Sequence, residues 1–579
     1  LTPLQQGLFV HASAADEGDD LGELYAVQLG ITLSGPLDAQ RLHEAVEAVV
    51  HRHPHLVARF CDQFDEPVQI IPAHPEMAWQ YIELDGIDVA EQVERICAAE
   101  RAAICDLANQ PAFRAGVLGI GEDLHRLVLT FHHIVVDGWS MPILLQEIFA
   151  GYNGHQLGAP MSYRRFVTWL AERDHAAAEA AWGQVLAGFD TPTLVGPTER
   201  LTQGQRNVAS FRVSAETTAA LGELARAQRT TVNTVLQAGW AQLLCGLTGQ
   251  RDVAFGAAVS GRPTDMVGAE SMVGLLINTV PVRANLVAAA TTAGLLEQLQ
   301  NAYNDTVDHQ HLALRDIHRI TGVDQLFDTL FVYENYPIDV TALGEVNGLA
   351  ITDFSNREYN HYPLTVAALP GHELGLRVEY DTDVFDAATV EALVRRLERV
   401  LEAMIADPER PLSSIDLLDD REHAHLDMWG NRAVVTQPAS VATSIPAVFS
   451  GQVARIPQAA AVTFQGASMT YRELDEASNR LAHMLIGQGA RPGERVALLL
   501  PRSIEAIVSM MAVLKTGAAY LPMDPAHPAS RMQFMVGDSA PIAAVTTADL
   551  RSRFDGCDLA VIDVNDPGIV GQPVSSLPA

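Results

Sequence analysis

One stretch constrains this chain more than any other. Leu127-Val128-Leu129-Thr130 is an apolar, β-branched run that predicts a buried strand. Phe131-His132-His133-Ile134-Val135-Val136-Asp137-Gly138-Trp139-Ser140 follows it, and Met141-Pro142-Ile143-Leu144-Leu145-Gln146-Glu147-Ile148-Phe149 has the apolar spacing of a helix. Two histidines therefore sit at a strand end, where imidazoles can project from a rigid element into a cleft, and Asp137-Gly138 supplies a turn before the helix. Histidine has the side-chain pKa closest to neutrality, so it suits proton handling. In a chain with 20 histidines an adjacent pair is ordinary, so its surroundings have to carry the argument.

At 579 residues the chain exceeds what one hydrophobic core holds, which implies at least two domains. The formal charge of -33 leaves no basic surface to displace counterions, which argues against nucleic acid and anionic lipid as partners. Lys515 is the sole lysine, and heavy use of Ala, Gly, Arg and Asp fits a GC-rich coding bias, so the acidity carries little functional weight. No apolar run reaches a membrane span and no basic-then-apolar leader opens the chain, so the expected location is the cytoplasm. Cys61, Cys97, Cys105, Cys245 and Cys557 are scattered without a Cys-x-x-Cys pair, so neither disulfides nor zinc are expected. His51-Arg52-His53-Pro54-His55 suggests a metal at first sight, but Pro54 interrupts any regular ligand face and no metal is expected there. Leu1 is not an initiator methionine, and the chain reads as an excerpt of something longer.

Further stretches punctuate the chain. Leu1-Thr2-Pro3-Leu4-Gln5-Gln6-Gly7-Leu8-Phe9 opens it, and an acidic loop at Glu17 to Asp20 leads to the alternating run Tyr25 to Leu33, which predicts a strand. Asp38 is placed to cap a helix with the apolar stripe Leu42, Ala45, Val46 and Val49, which ends in the Arg-His-Pro-x-Leu sequence at Arg52. A helix is expected between Asp88 and Gly119, another around Tyr163-Arg164-Arg165-Phe166-Val167-Thr168-Trp169, and a loop with Pro192 and Pro197 divides a first lobe from a second. Ser214-Ala215-Glu216 starts an amphipathic helix, and Val232 to Leu247 is apolar nearly all round, hence a buried helix. Then come Val259-Ser260-Gly261-Arg262-Pro263, the run Met272 to Arg283 with Gly274-Leu275-Leu276-Ile277-Asn278-Thr279 at its centre, Asp308-His309-Gln310-His311, His361-Tyr362-Pro363-Leu364-Thr365 and Leu376 to Asp381.

His-His-x-x-x-Asp-Gly followed by Trp-Ser, together with these stretches, resembles the condensation domains of nonribosomal peptide synthetases over residues 1 to 425. The resemblance implies an α/β fold of two chloramphenicol-acetyltransferase-like lobes in a V-shaped pseudo-dimer, spanning 1–175 and 176–428. It implies amide synthesis from two thioesters: the amine of an acceptor aminoacyl group on one carrier protein attacks the thioester of a donor on another. Phosphopantetheine arms of upstream and downstream carriers then enter a tunnel from opposite faces as substrates, and the rest of a multimodular synthetase is the wider partner. No bound cofactor and no metal belong to the expected site.

The resemblance marks His132, His133, Asp137 and Gly138 as the catalytic motif, with His133 at the reaction centre. Neutral amine is already available near pH 7, so His133 can position the amine, accept its proton, or both. Alternation places His132 on the other face, in a structural role. Asp137 either orients His133 or holds the turn through an ion pair; the resemblance favours the pair, with Arg262 as partner and Arg283 as the alternative. Gly138 allows close backbone approach.

Residues 429–445 read as a linker, after which strand and helix signals alternate and imply a parallel α/β sheet. Thr470-Tyr471-Arg472-Glu473-Leu474 and Leu514-Lys515-Thr516-Gly517 through Pro525 resemble the first core motifs of an adenylation domain, so 446–579 is expected to be its truncated N-terminal segment. The phosphate loop of that family and its later acidic and lysine residues are missing before Ala579, so no amino-acid activation is expected, and ATP with magnesium belongs to a complete adenylation domain. No Gly-Gly pair occurs, hence no carrier attachment serine.

Three rival readings stand beside this one. An epimerization domain shares the His-His motif but generally has a different order around Trp139 and follows a carrier. A heterocyclization domain would carry paired aspartates instead. From another class, the chain could be a non-catalytic platform that docks carrier proteins. The opening residues and the Asp-Gly-Trp-Ser-Met-Pro continuation point to the subtype that joins a D-configured donor to an L-acceptor.

Overall fold

A computed structural model describes residues 1–13, 23–85, 88–196, 205–287, 289–335, 348–437 and 443–577. The acidic loop at Glu17 to Asp20, Pro197, Ala579 and residues 438–442 of the expected linker lie outside these. The chain divides into two compact units, Leu1–Leu426 and Asp427–Ala579.

The first unit is built on two sheets. The histidine strand, Leu124–His132, is the middle of a five-stranded sheet. It pairs antiparallel with Ala26–Ser34 in a register that sets Ala26 opposite His132, and antiparallel with Phe113–Gly121, which in turn runs parallel to Ala78–Glu83. The fifth strand comes from far along the chain. Ala350–Arg357, within the range read as the second lobe, crosses over and pairs antiparallel with Ala26–Ser34, setting Ile31 opposite Phe354. The second sheet has six strands in the order Arg206–Val213, Leu374–Asp381, Leu364–Leu369, Thr329–Tyr333, Asp252–Val259 and Asn278–Asn285.

Local chemistry accounts for the elements around the site. Asp38 accepts a hydrogen bond from the Arg41 N–H and caps the helix Ala39–Arg52, whose Leu42, Ala45, Val46 and Val49 are buried. That helix packs with Ser140–Tyr152, the helix leaving the histidine turn, under the first sheet. In the second lobe, Ser214 and Thr231 cap the helices Ala215–Ala227 and Val232–Thr248, and the latter buries residues on every side, as its apolar composition predicts. The first-lobe core also takes in Val273 and Leu275, so a loop of the second lobe is anchored inside the first.

The second unit carries a four-stranded parallel sheet in the order Ala519–Met523, Arg495–Leu499, Ala543–Thr546 and Ala560–Asp563. A hairpin precedes it, turning through Gln465 and Gly466 at positive φ, as a two-residue hairpin loop requires. Thr470 and Glu473 form a reciprocal capping box at the start of the helix Tyr471–Gly487. The sole lysine, Lys515, is 6% exposed and ties the helix Ile504–Lys515 to that helix, its Nζ donating to Asp475 Oδ1 at 2.7 Å, Ser478 Oγ at 2.8 Å and Asn479 Oδ1 at 2.7 Å. No described helix is long and apolar enough to cross a membrane.

Candidate active site

The two histidines diverge where the strand ends. His132 is the last strand residue and is fully buried; its backbone N–H donates to the Ala112 carbonyl at 2.9 Å and its Nδ1 accepts the Ile134 N–H at 3.1 Å. Burial, helped by the neighbouring His133, pushes its pKa down to about 3, so the ring is neutral. His133 begins the turn. Its side chain is 13% exposed and lines a cavity of about 540 Å³, with Nε2 3.0 Å from Glu358 Oε1. Burial alone would lower its pKa, but the hydrogen bond to Glu358 and the negative charges of Glu358 and Asp137 outweigh it and hold the pKa above the ordinary value. For Glu358, burial works upward, and His133, Arg377 and a hydrogen bond with Asn356 hold the carboxyl down at about 2.

Tyr25 fastens this arrangement. It is a non-glycine residue at φ 64°, a conformation that costs of order 1–3 kcal/mol and persists only when its surroundings enforce it. Its carbonyl accepts the His133 N–H at 2.8 Å, its own N–H donates to the Tyr359 carbonyl at 2.9 Å, and its hydroxyl is hydrogen-bonded to His361 Nδ1. The strand end that carries His133 is thus tied to the segment that carries Glu358.

Asp137 points away from the cavity into a buried knot. Arg262 grips it with both terminal nitrogens, Nη1 to Oδ2 at 2.9 Å and Nη2 to Oδ1 at 3.2 Å. The carboxylate also accepts from the Ser140 N–H at 2.9 Å, the Ser140 hydroxyl at 2.7 Å, the Leu276 N–H at 3.0 Å and the Ile277 N–H at 3.3 Å. Arg283 is elsewhere, with Nη2 2.7 Å from Asp252 Oδ2 and Nη1 donating to the carbonyls of Val185 and Ala187. The loop that supplies these partners depends on two glycines. Gly261 has φ +59°, and a Cβ there would lie 1.7 Å from the Leu276 carbonyl oxygen; a Cβ on Gly274 would lie 2.2 Å from the Tyr163 ring.

Gly138 lines the same cavity as His133, beside Trp139, whose ring lies 5.6 Å from the Arg262 guanidinium carbon. A second cavity, of about 570 Å³, is lined by Trp169, Arg173, Asp265, His309, Gln310 and His311 among others. The two cavities share Pro3, Leu4, Ser260, Leu275, Ile277 and Asn278 as a common wall. Asn278 also holds the weak histidine-glutamine stretch in place, donating to the carbonyls of Gln310 and Leu312 at 2.8 Å each.

Within the run His51 to His55, Arg52, His53 and His55 make packing contacts, while His51 is exposed. His53 Nε2 lies 2.8 Å from Glu147 Oε2, Arg52 Nη2 lies 2.9 Å from Glu147 Oε1, and the His55 ring stacks on Tyr163 at 5.0 Å. Sequence reasoning missed Glu358 and the role of Tyr25. Tyr25 stood at the head of a predicted strand and Glu358 four residues ahead of Tyr362 in a recognised stretch; nothing in the spacing between them signals that they meet His133.

The condensation-domain family matches residues 1–426, and the AMP-binding enzyme family matches 449–570. The chain belongs to the condensation-domain family and continues into the N-terminal part of an AMP-binding enzyme. Among its relatives, tyrocidine synthase 2 of Brevibacillus parabrevis is 31% identical over 100% of this chain and 16% of its own length. Isonitrile lipopeptide synthase of Mycobacterium tuberculosis is 39% identical over 94% of this chain and 23% of its own. The chain therefore spans only a minor part of these synthases. Among solved structures, the nonribosomal peptide synthetase FmoA3 in an AMPPNP-bound form superimposes with a TM-score of 0.76 at 22% identity, covering 100% of this chain and 61% of that one, which shows a shared fold.

Proposed function

We propose that the first unit forms amide bonds in nonribosomal peptide synthesis. The amine of an acceptor aminoacyl group attacks the carbonyl of a donor acyl thioester: the N–C bond forms, the C–S bond breaks, and the donor's carrier thiol leaves. The attacking nitrogen gives up a proton to His133, which returns it to the departing sulfur. Proton transfer by a placed side chain contributes roughly a hundredfold or more, and holding the amine against the carbonyl adds several kcal/mol. Family membership supports this reading, and one observation carries it: of the two adjacent histidines, His133 lines the cavity while His132 is sealed in the strand. The shared wall of the two cavities suits phosphopantetheine arms that arrive from two carriers. Asp137 acts in this reading as the buried partner of Arg262, and Gly138 keeps the backbone open beside His133. ATP and magnesium take no part in this step, and residues 446–579 contain no glycine-, serine- and threonine-rich phosphate loop.

The motif sequence supports a D-configured donor and an L-acceptor. Single-turnover peptide formation tests both levels, using donor carriers loaded with D- or L-residues, an L-loaded acceptor carrier and mass spectrometry. The expected outcome is product from the D-donor, with the rate reduced roughly a hundredfold or more in His133→Ala while the fold is retained. Cα deuterium exchange without amide would instead indicate epimerization, and carrier binding with neither reaction would indicate a docking platform.

A further inference from the structure

An α-amine has a reference pKa of about 8, so near neutral pH most of it reaches the site as ammonium. Moving that charge from water into a cavity walled by Phe327, Leu330, Val332 and Ala367 is unfavourable unless an anion meets it. Three carboxylates line this cavity: Glu334, Glu358 and Glu379. Glu379 is 2% exposed and accepts the Asn360 N–H at 2.9 Å, and burial pushes its pKa up to about 7, so near neutrality much of it is uncharged. Glu358 is ionised and, among the described residues, is the carboxylate paired with His133.

The pair leaves His133 with a problem as a base. An imidazole that donates to a carboxylate through Nε2 presents no lone pair there. An ammonium ion can change places with it. It brings three N–H donors, of which one can reach Glu358 and another His133 Nε2 once that ring has released its own proton to water. For a ring that starts as imidazolium, the ammonium replaces the proton lost to water and the net charge of the site is unchanged, and Nε2 faces the nitrogen whose proton it is to receive.

We propose that Glu358 is the seat for the acceptor's α-ammonium group, which displaces the His133 ring from the carboxylate; this rests on the amide-forming reading above. At 3.0 Å the two side chains are too close for a nitrogen to bond both. They need to part by roughly 1–2 Å at ordinary hydrogen-bond lengths. Glu358 has room to do so: it lies just past the crossover strand Ala350–Arg357, in a segment without regular structure, and its side chain is 27% exposed. His133 is held more firmly, through its backbone bond to Tyr25. The same carboxylate that orients the empty ring thereby selects for an amine and sets it beside the base.

Calorimetric titration of the 579-residue chain tests this with two probes, an aminoacyl N-acetylcysteamine thioester and its des-amino counterpart, at pH 7. Wild type is expected to bind the amine-bearing probe about tenfold or more tighter, the size of a charge-assisted hydrogen bond. In Glu358→Gln that preference disappears, while affinity for the des-amino probe stays at the wild-type level and so reports an intact cavity. Glu358→Asp restores part of the preference. A preference that survives Glu358→Gln, or its absence from the wild type, overturns the proposal. Loaded-carrier turnover is scored separately: amine preference without amide formation keeps the seat and removes the amide-forming reading.

Discussion

Asp137 and His133 lie four residues apart and do different work. Asp137 is 1% exposed, and its two oxygens satisfy a guanidinium, a hydroxyl and three backbone N–H groups. Removing it strands the Arg262 charge in the interior, a loss of about 3–5 kcal/mol for a buried pair broken on one side. Asp137→Ala is therefore expected to lower the urea midpoint of the first unit sharply. His133→Ala, which removes a partly exposed ring, should change stability far less while slowing turnover roughly a hundredfold or more. A chemical-denaturation series on the two variants checks this. If Asp137→Ala unfolds at the wild-type midpoint, the carboxylate is not the structural centre the knot implies, and its effect on activity would have to be catalytic.

At the scale of elements, the helices Ala39–Arg52 and Ser140–Tyr152 are clamped by one carboxylate. Arg52 and His53 both bond Glu147. Burial raises the Glu147 pKa, but the hydrogen bonds from His53 and Arg52 prevail and hold it down at about 2. A depressed carboxyl contributes stability that is fully present above its unfolded pKa of about 4.3 and is lost as pH falls towards about 2. The contribution is on the order of 2 kcal/mol. Thermal melts between pH 5 and 2 should show a smaller acid loss in Glu147→Gln than in wild type, with Glu358 contributing a second loss in the same window. A slope unchanged by Glu147→Gln would remove the clamp from the account. Most of these elements are legible in the sequence: the stripe at Leu42, Ala45, Val46 and Val49, the Asp38 cap and the alternating Tyr25 to Leu33 run all follow from period and capping chemistry. The crossover strand is not. Ala350–Arg357 is half-exposed at a sheet edge, and its own pattern says nothing about which sheet will accept it.

The whole molecule is two units with separate hydrophobic cores. The clusters around Leu485, Val496 and Val513 and around Leu499 and Met532 are composed of second-unit residues alone, and those of the first unit lie within residues 1 to 417. Each should melt as its own cooperative transition. Calorimetry of the full chain against residues 1–426 is expected to show the first-unit transition preserved in the shorter chain. Its loss would mean that the second unit is required for the first to fold.

The sequence alone determined what depends on near neighbours. A β-branched run, a histidine pair, an Asp-Gly turn and an apolar helix follow one another within 23 residues, and their periodicity and turn chemistry act over that distance. The Gly261-Arg262 and Gly274-Leu275-Leu276 stretches are recognisable through their resemblance to motifs of the condensation-domain family. Tertiary structure decided which of them meet. Arg262 reaches Asp137 across 125 positions and Glu358 reaches His133 across 225. Those contacts exist because the loop at Val273 and Leu275 is buried in the first-lobe core and the crossover strand pairs with Ala26–Ser34. Hydrogen bonds and ion pairs act over a few ångströms, so a partner hundreds of residues away leaves no trace in local pattern and is fixed only when the backbone between has been folded.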